Sequence, residues 1–188
     1  MKKNSIITLG FLCVMFSINV VGVEHTSHIH GLAEMTIIIE NNSLEIEVKS
    51  PAINLVGFEH KASSQKHTAA VNKAELLLSD PKKIFSFSNG YCQLINKSVD
   101  LSHIKETHGH IEKEYTTSIN KQYNHSEIIA HYFYQCEKTS ALSAITVTLF
   151  DLFSGLQQIS VMWITDIQQG AIMLSATNKV IDLRVNHE

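Results

Sequence analysis

The sequence predicts an α+β fold, a mostly antiparallel sheet with one main helix and a His-containing insertion loop. Three observations carry that expectation. Short β-prone runs joined by hairpin-length turns dominate the chain, a single stretch repeats apolar residues at helical spacing, and a polar, histidine-bearing stretch interrupts the strands.

Taken in order, residues 1–22 have the layout of a secretory signal peptide. Lys2 and Lys3 precede the apolar run Ile6 to Phe16, and small Gly22 follows Val20-Val21. The run is shorter than the roughly 20 residues that span a bilayer, and no later stretch is long enough either, so no stable membrane insertion is expected. Cys13 leaves with the signal; a retained signal anchor is the alternative. The remaining chain, Val23 to Glu188, then reads as a single α+β domain of ordinary size, 23–188.

In that domain Met35 to Glu40 and Leu44 to Lys49 read as two strands around Asn41-Asn42-Ser43. The second alternates cleanly, Leu44, Ile46 and Val48 inward against Glu45, Glu47 and Lys49 outward. Pro51 ends it. From Ser63 to Leu78 the residues Ala70, Val71, Ala74, Leu77 and Leu78 keep helical spacing, and Asp80-Pro81 stops the helix. Phe85 to Val99 reads as a pair of short strands around the turn dipeptide Asn89-Gly90. Residues 102–125 are polar and without periodicity, a flexible insertion. Strands resume at Glu127 to Glu137, Ala144 to Leu149, Ile159 to Ile164, Ala171 to Ser175 and Val180 to Leu183.

Composition excludes several classes. The 188 residues are 44% hydrophobic and 18% charged, too apolar for a disordered tail, and 8 Gly with 2 Pro rule out collagen-like or low-complexity chains. With 15 Lys plus Arg against 18 Asp plus Glu there is no basic stripe for nucleic acid. Histidine stands out: the 11 present are roughly three times ordinary usage.

In extended chain, residues i and i+2 point the same way about 6.5 Å apart, so His-x-His offers two imidazoles to one ion. The pattern occurs at His28-Ile29-His30 and at His108-Gly109-His110, the latter near His103 and several glutamates. His125, Glu127 and His131 share strand parity, and Glu59-His60 closes the apolar run Asn54 to Phe58. Imidazole with carboxylate suits zinc, and also copper or nickel, whereas calcium and magnesium want oxygen alone. His67 on the helix and His187 at the tail are read as solvated, and His131 either as a ligand or as a packing neighbour of tyrosines. Cys92 and Cys136 are the only cysteines left after export, and a lone pair in an oxidising compartment is expected to bridge. The alternative is a pair of thiolate metal ligands.

Together, His28-Ile29-His30-Gly31, Ser50-Pro51-Ala52, Asn54-Leu55-Val56-Gly57-Phe58-Glu59-His60, Cys92, His125-Ser126-Glu127 and Tyr132-Phe133-Tyr134-Gln135-Cys136 resemble the ZrgA-type periplasmic zinc-uptake proteins of Gram-negative bacteria. The resemblance covers essentially the whole exported chain. It implies a periplasmic protein that binds zinc and assists a high-affinity ABC-type zinc transporter or its binding protein. By position, His28, His30, Glu59, His60, His125 and Glu127 match the family's motif residues, and Cys92 and Cys136 its cysteine pair. The long His-Asp run of many members is reduced here to His103, His108 and His110, a possible second metal site of small capacity.

The leading expectation is therefore a monomeric, non-enzymatic zinc-binding accessory protein with zinc as its ion. Its affinity is expected to fall below about pH 6.5, where imidazole takes up protons. Two other readings stay open. A zinc hydrolase or lyase would need three ligands and a general base, yet the sequence has no His-Glu-x-x-His and no nucleophile elbow. A copper- or nickel-sequestering protein is compatible with nitrogen ligands, although five methionines without clustering disfavour cuprous copper.

Overall fold

The computed structural model of the chain describes residues 29–105 and 126–184. The expected signal peptide and positions 106–125 of the expected insertion lie outside the described residues.

The first hairpin forms where one-sided alternation requires it. Strands β1 (Leu32–Glu40) and β2 (Ser43–Pro51) pair antiparallel, with Ile37 opposite Ile46 and Met35 opposite Val48. Both strands bury every second residue. Strand β5 (Glu127–Cys136) joins β2 antiparallel and repeats the pattern, burying Ile128, Ala130, Tyr132 and Tyr134 while Glu127, Ile129, His131 and Phe133 face outward. Burying such a face removes apolar surface from water at about 25 cal/mol per Å², which fixes the register, because a one-residue slip would turn it outward.

Among the described residues, the larger sheet has six strands in the order β4-β5-β2-β1-β7-β8. Strands β4 (Cys92–Asp100) and β8 (Gln169–Ser175) are its edges, and β7 (Gln158–Ile164) lies between β1 and β8. The β1–β7 pairing is parallel and the other strand pairs are antiparallel. A smaller sheet holds β3 (Phe85–Ser88), β6 (Ala144–Val147) and β9 (Val180–Asp182). The two sheets meet through aromatic edges: Phe85 lies 5.2 Å from Tyr132 and Phe87 4.9 Å from Tyr134, both near perpendicular. That arrangement sets a ring's positive edge against its neighbour's negative face.

The expected strand pair over Phe85 to Val99 needs correction. Both strands exist, but β3 pairs with β6 in one sheet and β4 with β5 in the other. Asn89, Gly90 and Tyr91 all have positive φ, at 66°, 79° and 49°. Three such residues in succession carry the chain across to the second sheet instead of folding it back.

Helix α2 (Gln65–Leu78) begins at Ser64, whose hydroxyl accepts from the His67 amide at 3.2 Å, satisfying one orphan donor of the first turn. It buries Val71, Ala74 and Leu78. Its last turn is tied to the sheet by Tyr132, fully buried, whose phenol donates to the Leu78 carbonyl at 2.8 Å. Burial lifts the Tyr132 and Tyr134 phenols well above the ordinary tyrosine range. Two short helices add to the expected one: α1 (Ala52–Val56), within the apolar run, and α3 (Leu149–Leu152), after β6. The start of the expected insertion is packed: Leu101 and Ile104 are buried, the Ile104 carbonyl accepts from the Ala62 amide, and Lys105 pairs with Glu75 of α2 at 2.6 Å.

The Cys92–Cys136 disulfide is formed, joining residues directly opposite in β4 and β5.

Candidate metal centre

Antiparallel geometry brings the described segments that border the motif to one end of the large sheet. The start of β1, the end of β2 and the start of β5 are adjacent there, so the segments before Leu32, after Pro51 and before Glu127 converge. Helix α1 leaves β2 at this end, and its first amide, Ala52 N, donates to the Ser126 carbonyl at 2.8 Å. Gly57 closes α1 with φ +87° and its amide on the Ile53 carbonyl at 3.0 Å. That left-handed position favours glycine, and it turns the chain into Phe58-Glu59-His60.

Asn54 holds the assembly together. Only 4% exposed, its Oδ1 accepts from Gly31 N at 2.7 Å, while Nδ2 donates to the Leu32 carbonyl at 2.9 Å and to Ser50 Oγ at 3.2 Å. One side chain therefore links α1, the start of β1 and the end of β2. The loop after α3 presses against the same helix: a Cβ on Gly155 would sit 2.6 Å from the Asn54 carbonyl oxygen, so only glycine fits. The Gly31 carbonyl accepts from both Gln157 N and Gln158 N, at 2.8 and 2.9 Å.

On this frame, His30 Nε2 lies 3.7 Å from Glu59 Oε1, with His30 largely exposed and Glu59 mostly covered. The separation exceeds hydrogen-bond length and leaves an imidazole nitrogen and a carboxylate oxygen side by side. His60 Nδ1 is 2.9 Å from the Lys61 carbonyl. A carbonyl only accepts, so Nδ1 carries the proton and the neutral ring keeps its lone pair on Nε2. This is the outer-shell arrangement that orients metal-binding histidines. Phe58 stacks on His60 at 5.0 Å and touches His67 at 4.5 Å, and the two imidazoles are 4.9 Å apart.

The other expected ligands are placed as follows. Glu127 lies on the outward face of β5, its Oε2 3.2 Å from Lys49 Nζ. His131 is on the same face, its Nδ1 3.5 Å from Glu47 Oε2 and its ring stacked at 6.4 Å on Phe133. His103 is exposed in the turn that follows β4. His28, His125, His108 and His110 lie outside the described residues. Among the described residues, no group of three or more His, Cys, Asp or Glu side chains stands ready to hold a metal ion. The donors that do meet are nitrogen and carboxylate oxygen, the borderline set that suits zinc.

The model of the ZrgA family of zinc uptake proteins matches residues 27–183. The chain belongs to the ZrgA family. The match spans both sheets and every motif segment described above, and it gives the ZrgA chain a zinc-uptake role. No curated protein matches it.

Two residues of this family member carry more than their sequence context suggested. Asn54 signalled itself only as a polar residue inside an apolar run. His67, read as a solvated helix residue, has its ring against Phe58 and His60, and only the approach of the 58–60 loop to the first turn of α2 reveals that.

Proposed function

We propose that the protein is an exported, non-catalytic zinc-binding accessory that captures zinc in the periplasm and assists a high-affinity ABC-type transporter. The observation that carries this reading is the approach of His30 to Glu59, next to His60 in sequence, at one sheet end in a chain of a zinc-uptake family. Export is supported by the signal-like layout of residues 1–22 and by the Cys92–Cys136 bridge, a bond that persists in oxidising compartments. Among the described residues no helix is long and apolar enough to cross a membrane. The motif set His28, His30, Glu59, His60, His125 and Glu127 supplies the donors, of which His30, Glu59, His60 and Glu127 lie among the described residues. Capture without chemistry fits a sequence that lacks the spacings of zinc hydrolases.

The test is zinc stoichiometry after dialysis, with affinity measured by competition against a chromophoric chelator, for the protein and a His30→Ala/His60→Ala double variant. Tight zinc in the protein, weakened at least about tenfold in the variant, is expected. Absence of tight zinc, or zinc indifferent to both substitutions, overturns the proposal.

A further inference from the structure

His67 occupies the first turn of α2, where Ser64 Oγ fixes its main-chain amide and Phe58 lies against its ring. Its Nδ1 is shielded from solvent and has no hydrogen-bond partner among the described residues. A histidine serving only to fill space would do better as phenylalanine, since a covered ring nitrogen without a partner forfeits the bonds it made with water. The distance to His60 suggests what this ring is for. With Zn–N near 2.05 Å, a ring centre about 1.1 Å behind each nitrogen and a tetrahedral angle, two imidazoles on one zinc place their centres roughly 5.2 Å apart. His60 and His67 are 4.9 Å apart, tilted by 55°.

We propose that His67 is a zinc ligand acting with His60, the two forming a two-imidazole arm that follows Glu59 in the chain. The inference rests on the zinc-binding reading above and extends its ligand set to a residue outside the family motif. Phe58, packed against both rings, limits their rotation, so little side-chain freedom is left to lose when the ion arrives. Such a ligand would also fasten the 58–60 loop to α2. Zinc should then slow amide exchange in the first turn of the helix, which packing alone would not make metal-dependent.

The experiment uses the zinc-loaded protein and His67→Phe, which keeps an aromatic ring on Phe58. Chelator competition, the imidazole count from zinc X-ray absorption, and hydrogen exchange over residues 65–70 with and without zinc are compared. Expected are zinc binding at least about tenfold weaker, one imidazole fewer and loss of the zinc-dependent protection, with unchanged melting of the metal-free protein. If His67→Phe lowers metal-free melting, His67→Gln is read in its place. Tight zinc in the protein with unaltered affinity and imidazole count in the variant overturns the inference and leaves the zinc-binding reading standing. No tight zinc in the unsubstituted protein overturns both.

Discussion

Asn54→Ala should loosen the sheet end that carries the proposed metal site and destabilise the whole protein. The substitution removes three hydrogen bonds at a site 4% exposed. The heaviest loss is at Gly31 N, a donor on a buried residue whose 2.7 Å acceptor disappears, at about 1–3 kcal/mol. The bonds to the Leu32 carbonyl and Ser50 Oγ add about 0.5–1 kcal/mol each, for a total of roughly 2–5 kcal/mol. At about 2–4 °C per kcal/mol for a chain of this size, melting should fall by roughly 4–20 °C. Because Gly31 follows His30 directly, zinc affinity should drop by about tenfold as well. Ser50→Ala removes one of the three bonds together with the hydroxyl's own bond to the Pro51 carbonyl, both 3.2 Å, and should cost about 1–2 kcal/mol. Thermal denaturation and chelator competition on the three proteins measure both effects. An Asn54→Ala variant that melts within 2 °C of the parent, or one less perturbed than Ser50→Ala, would refute the bridging role assigned to this side chain.

Two further outcomes follow from other parts of the fold. Replacing Cys92 and Cys136 by serine should cost about 4 kcal/mol on the chain-entropy account of a loop of about 45 residues, and denaturant midpoints that do not move would contradict it. The Arg184 guanidinium and amide hold the Asp182 carboxyl down at about 2. Since the folded value is depressed, its contribution is present above the ordinary carboxylate value of about 4 and fades as pH falls toward 2. Arg184→Gln should return the carboxyl toward that ordinary value in an NMR titration, and an unmoved titration would rule the guanidinium out as the cause.

The strands were legible in the sequence wherever one face is buried and the other wet. Leu44, Ile46 and Val48 alternate because β2 has that environment, and Val71, Ala74 and Leu78 repeat helically because α2 covers the sheet. Pairing between distant strands leaves no such trace. The parallel contact of β1 with β7 depends on residues well over a hundred positions apart, and Asn89-Gly90 signals a turn without saying which sheet receives the next strand. Helix α1 is too short to show periodicity. At the candidate site, the types and spacing of His30, Glu59 and His60 announced metal chemistry, but the approach of His30 to Glu59 depends on the turn at Gly57 and on Asn54, and the place of His67 depends on a loop meeting a helix.

The two amides that hold the Gly31 carbonyl belong to residues 157 and 158. A chain made from its N-terminus thus carries its first histidines long before it owns the strand that frames them. Until β7 is added, β1 has a partner on one side only and the residue beside His30 lacks those two bonds. Competence of the proposed site therefore arrives only when β7 has been made, and a copy that stops before it would keep the donors yet lack the frame.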